Sequence, residues 1–164
     1  MSKKAMTAED RLVSRDRMRF VKNSTCSNLC YLAILFNLFY FVLLYRQNPD
    51  YFYTVQIGGS IVYNLVFMLL VFLSSEAVKN YNKNYSYLLC VIGVMQVVRI
   101  FAIPTSARNF IPEGAEAAVI TNAVYLRMVI YLLVSAAALI ASSVINYTKC
   151  TTLEAHVKSL EKNA

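Results

Sequence analysis

The chain contains one histidine, His156, which argues against haem held by paired histidines and against any histidine-rich metal site. Its nine acidic residues are as informative by position. Glu9, Asp10, Asp16, Asp50, Glu76, Glu113, Glu116, Glu154 and Glu161 all lie outside the interiors of the long apolar runs. A proton-driven pump needs a carboxylate within the membrane to carry its proton, and the first run offers Asn28 and Asn37 instead. The four cysteines, Cys26, Cys30, Cys90 and Cys150, form no CxxC pair, and all fall toward the basic side of the runs, where disulfides are not expected. No Walker phosphate loop, HExxH or G-x-S-x-G elbow occurs. Catalytic residues, metal and cofactor are therefore all expected to be absent, and any ATP-driven role would need another subunit to hydrolyse the nucleotide.

What the chain has is hydrocarbon. Of 164 residues 58% are hydrophobic, glycine and proline number only four and three, and the mean hydropathy is positive. A chain this short cannot hide so much apolar surface in its own core, so lipid must solvate most of it. Four runs, about 26–45, 53–75, 85–103 and 122–145, each approach the ~20 residues that a helix needs to cross a bilayer. They are too long and too evenly apolar for barrel strands. The expected fold class is an all-α integral membrane protein, a four-transmembrane-helix bundle with short amphipathic cytoplasmic helices at both ends. Its expected divisions are a basic arm (1–24), a membrane domain (25–147) and an amphipathic tail (148–164).

The net charge of +7 is packed at the ends of the runs rather than spread over a face, so nucleic acid is not an expected partner. Seven Lys and Arg lie in the arm, two in the middle loop (Lys79, Lys83) and three in the tail, against Arg46 and Arg108 on the other side. That bias predicts cytoplasmic N- and C-termini in a multi-pass protein, with a bacterial cytoplasmic membrane as the expected location. Three N-x-S/T triplets, at Asn23, Asn84 and Asn146, then fall on the cytoplasmic side and read as chance matches.

Two arginines sit inside the oily runs. Arg99 and Arg127 are predicted at similar depth in the outer leaflet, where a long side chain can lift its head to the interface. Alternatives are that they face a neighbouring subunit or the bundle interior, with Gln96 and acidic groups as partners, or form an outward-facing anion or lipid-headgroup pocket. Gln96 lies one turn before Arg99, and Glu113 and Glu116 in the outer loop are candidate counter-charges. Asn37 and Asn64 fall at one height on the first hairpin and suggest a bridging pair. Small residues suggest seams: Gly58 and Gly59, Gly93, Ala137 with Ala141, and Ala138 with Ser142 at four-residue spacing.

Thr7 to Asp10 resembles a helix start for an arm lying along the anionic inner surface. In the tail, Thr151 and Glu154 suggest a capping box, Glu154 stands four residues before Lys158, and Leu153, Val157 and Leu160 share one helical face suited to docking. The expected function is a non-enzymatic accessory or scaffold subunit of a larger membrane complex, foremost a multi-subunit transporter such as an ABC-type importer or exporter. Expected partners are membrane lipids and other membrane subunits, including permease and nucleotide-binding chains, with self-association open. The alternative is a small oligomeric channel or an anion or lipid-headgroup carrier built on the outer-leaflet arginines.

Overall fold

The computed structural model describes residues 22–46, 54–109 and 120–163, with side chains left undescribed at 54–57 and 160–163. Among the described residues there are five helices: α1 (Ser24–Tyr45), α2 (Thr54–Lys79), α3 (Asn84–Ala102), α4 (Pro104–Asn109) and α5 (Asn122–Asn163). Four of them are long and apolar enough to cross a membrane, which makes the chain a multi-pass integral membrane protein built as a four-helix bundle. The spans expected from the sequence agree with α1, α2 and α3 to within a few residues, α2 running one turn further, to Lys79.

The main packed pairs are α1 with α2 and α5, and α3 with α2 and α5, which arranges the helices as a square whose loosest side is α2 against α3. The face carrying the start of α1, the α2–α3 turn and the extension of α5 is called the near face, and the opposite one the far face. The outer wall is what lipid requires: Val62, Leu65, Leu69, Val91, Val98, Phe101 and Leu126 are each more than half exposed.

The near face is fastened by polar contacts. Asn23 donates from Nδ2 to Asn146 Oδ1 (3.0 Å), Asn146 donates to Ser86 Oγ (2.8 Å), and Lys149 Nζ reaches Asn23 Oδ1 (2.9 Å). Two of the three N-x-S/T asparagines are therefore buried structural ties. The α2–α3 turn closes as a Schellman motif, with Asn82 N–H on Ala77 O, Tyr81 N–H on Val78 O, and Tyr81 left-handed at φ 58°.

Three expectations about the tail need correction. The tail is not a separate helix: α5 continues unbroken for 42 residues, from Asn122 to Asn163. No glycine or proline interrupts it, and Thr151 does not cap. Its Oγ1 donates back to Tyr147 O (3.1 Å) and Thr148 O (2.8 Å), a bond that a helix-interior threonine makes when the chain stays helical. Glu154 pairs with Lys83 (3.0 Å) across the α2–α3 turn rather than with Lys158. On the far side, the outer connection begins with a helix, α4, which Pro104 opens where its missing N–H costs nothing. The expected arm helix, the turn at Pro112 to Gly114, Asp50, Glu113, Glu116 and the Leu160 side chain lie outside the described residues.

A buried guanidinium in a polar cluster

On α3 the buried positions Leu89, Ile92, Gly93, Gln96, Arg99 and Ile100 recur at three- and four-residue spacing. Arg99 thus shares the inward face with Gln96, and the bundle rather than the interface receives it. Only 5% of the residue is exposed. The expectation that Arg99 lifts its head to the outer surface is overturned, and helix direction supplies the reason. Side chains tilt toward the N-terminus of their own helix. For α3 that direction leads away from the far face, while the buried stripe shared with Gln96 turns the side chain into the bundle. For α5, which runs the opposite way, it leads toward the far face, and Arg127 is exposed, one position off the buried Met128 stripe. The two arginines therefore do not form a pair.

Arg99 Nη1 donates to both Asn37 Oδ1 (3.1 Å) and Asn64 Oδ1 (3.0 Å). Asn37 donates in turn from Nδ2 to Asn64 Oδ1 (3.2 Å), which forms the expected bridge across the α1–α2 hairpin. Gln96 Nε2 donates to Asn37 Oδ1 (3.1 Å) and to Ser135 Oγ (3.3 Å), and Ser135 donates to Ala33 O (3.0 Å). Asn64 is held by its own donation to Ser60 O (2.8 Å). One network thereby joins α1, α2, α3 and α5 at a single level.

The rings of Tyr40 and Tyr63 complete the setting. The Arg99 guanidinium carbon lies 4.5 Å from the Tyr40 centroid and 4.6 Å from that of Tyr63. Guanidinium over an aromatic face is attractive, about 2 kcal/mol or more when desolvated. Neither tyrosine was singled out in the sequence, although Tyr40 stands three residues after Asn37 and so shares its face. Among the described residues, no carboxylate pairs with Arg99.

Donors and acceptors do not balance here. Among the described residues, Arg99 Nε and Nη2, Gln96 Oε1 and the Tyr40 hydroxyl are buried without a hydrogen-bond partner of good geometry. Nothing in the cluster resembles a nucleophile with its base. No group of three or more His, Cys, Asp or Glu among the described residues is placed to hold a metal ion.

The small-residue seams divide. Gly93 lets α5 approach so closely that a Cβ there would meet Ile140 Cγ1 at 2.8 Å and Ala136 O at 3.4 Å. Ala138 and Ser142 are buried in the same region, with Ser142 Oγ donating to Cys26 O (2.9 Å). Ala137 is exposed and Ala141 only half-buried, so that face is not the intramolecular seam. Gly58 and Gly59 face open space, with nothing within 4 Å of an added Cβ.

No protein-family model matches this chain, and no curated protein or solved structure matches it either.

Proposed function

We propose that the chain is a non-enzymatic integral membrane subunit that scaffolds a larger assembly, with a transporter of the ATP-binding-cassette importer or exporter kind as the preferred context. In that arrangement separate permease and nucleotide-hydrolysing chains carry transport and energy coupling. The observation that carries the proposal is α5. Its 42 residues span about 63 Å, roughly twice what the hydrocarbon requires. The surplus continues past the near face, which the charge bias assigns to the cytoplasm. Along that extension, Leu153, Glu154, Val157 and Lys158 line an open groove, and Val157 is 44% exposed. An apolar stripe with charged flanks on a rigid stalk suits a cytoplasmic partner.

The alternative is a small oligomeric channel or an anion or lipid-headgroup carrier; within one chain Arg99 is buried and Arg127 exposed, which favours the first reading. Photo-crosslinking from position 157 in native membranes, followed by purification of the intact complex, tests the proposal. It predicts a stoichiometric adduct with a second membrane or membrane-associated polypeptide. A chain that always emerges alone and monomeric refutes it.

A further inference from the structure

The unused atoms of Arg99 are not scattered. Nε and Nη2 form the side-on edge of the guanidinium, two roughly parallel N–H groups spaced to take both oxygens of a carboxylate or two oxygens of a phosphate. Nη1, on the other edge, is already committed to Asn37 and Asn64. Those two amides fix the plane of the group, and the rings of Tyr40 and Tyr63 lie against it. The remaining fork is thus presented in one orientation, buried, and, among the described residues, without a well-formed hydrogen bond. The Tyr40 hydroxyl is buried beside the same guanidinium, close enough to interact with it but outside good hydrogen-bond geometry. Buried charges are ordinarily neutralised by an opposite charge, and asparagine and glutamine oxygens supply none.

We propose that the Nε/Nη2 edge of Arg99 is the binding site of one oxyanion, a carboxylate or phosphate group, reached from the far face. The Arg99 backbone stands three residues before the end of α3, about 5 Å below that end by helical rise, and its guanidinium lies deeper, at the level of Asn37 and Asn64. The same chemistry is offered by an anionic lipid headgroup and by a small soluble anion. The site makes no use of Arg127 and does not depend on the accessory-subunit reading.

The test uses the full-length protein, purified in neutral detergent with chloride as the only anion. Its unfolding midpoint is followed as acetate, inorganic phosphate or phosphatidylglycerol is added at constant ionic strength. The proposal expects a saturable rise with at least one of the three. A response to phosphatidylglycerol alone assigns a lipid headgroup, and a response to acetate or phosphate assigns a soluble anion. Arg99→Lys keeps the charge and loses the fork, so binding should weaken about tenfold or more. Arg127→Lys should bind as the parent does. Should Arg99→Lys fail to fold, the parent alone decides through native mass spectrometry, which is expected to retain one phospholipid or anion per chain. Two results overturn the proposal. One is a parent indifferent to all three probes and free of retained anion. The other is an indifferent parent that becomes responsive when Asp50→Asn, Glu113→Gln and Glu116→Gln are combined, because the fork would then be closed by the chain's own carboxylate.

Discussion

Replacing Asn37 by leucine probes the cluster where its bonds converge. Asn37 donates to Asn64 and accepts from Gln96 and Arg99, so the substitution removes three interhelical hydrogen bonds while roughly preserving side-chain volume. Each partner keeps another bond: Gln96 Nε2 retains Ser135, and Asn64 Oδ1 and Arg99 Nη1 retain each other. The cost is therefore that of the lost bonds, without a large penalty for newly orphaned groups. Interhelical hydrogen bonds in membranes average about 0.6 kcal/mol, with a maximum near 1.7. The bond to the guanidinium is charge-assisted and roughly twice as strong as a neutral one. Together these give a loss of about 2–3 kcal/mol. The assay is reversible unfolding in mixed micelles titrated with a denaturing detergent. Asn28→Leu, on the exposed side of the same helix, serves as the control and should cost nothing measurable. A double-mutant cycle with Arg99→Met should return a coupling of about 1 kcal/mol. Equal stability of the Asn37 and Asn28 variants, or zero coupling to Arg99, would refute the network.

Three further outcomes follow from the same geometry. Gly93→Val should destabilise by about 1–3 kcal/mol in that assay, because its Cβ enters the space of Ile140 and the β-branched Ile140 side chain has little freedom to yield, whereas Gly59→Val should be tolerated. Arg127→Leu should change stability by less than about 0.5 kcal/mol, and a large loss there would mean that Arg127 is not on the outer wall. Hydrogen bonding from Lys83 to Glu154 raises the ammonium pKa above the ordinary lysine range. A raised lysine pKa contributes attachment that is complete below the unfolded value and lost as pH climbs through the folded one. A spin label at position 157 should therefore gain mobility only above the usual lysine range, and Glu154→Gln should abolish that step.

The four spans were legible because their signal is long and redundant: some twenty consecutive apolar residues leave little else to fold. The Asn37–Asn64 bridge was legible too, since two amides at one height on adjacent helices have few other partners in hydrocarbon. Arg99 was misplaced because depth along a helix says nothing about rotation around it. The cue was present in Gln96 and Gly93, which share a face with Arg99 at three- and six-residue spacing and jointly point inward. The unbroken α5 was missed because a threonine before a glutamate three residues on reads as a capping box. The same hydroxyl equally satisfies itself on the preceding turn. Tyr40 and Tyr63 carried no local signal beyond the registry of Tyr40 with Asn37, as aromatic residues are common in every span.

The arrangement that organises the cluster is a guanidinium enclosed by amides and two tyrosine rings rather than lodged at the bilayer surface. Solid-state NMR of arginine-labelled protein in bilayers reads this directly from the side-chain N–H signals. For Arg99 the account predicts an Nε–H resonance displaced upfield by the rings and slow to exchange with deuterated water, beside an Arg127 signal that exchanges quickly. An Arg99 resonance at the ordinary position, exchanging as fast as that of Arg127, would contradict it.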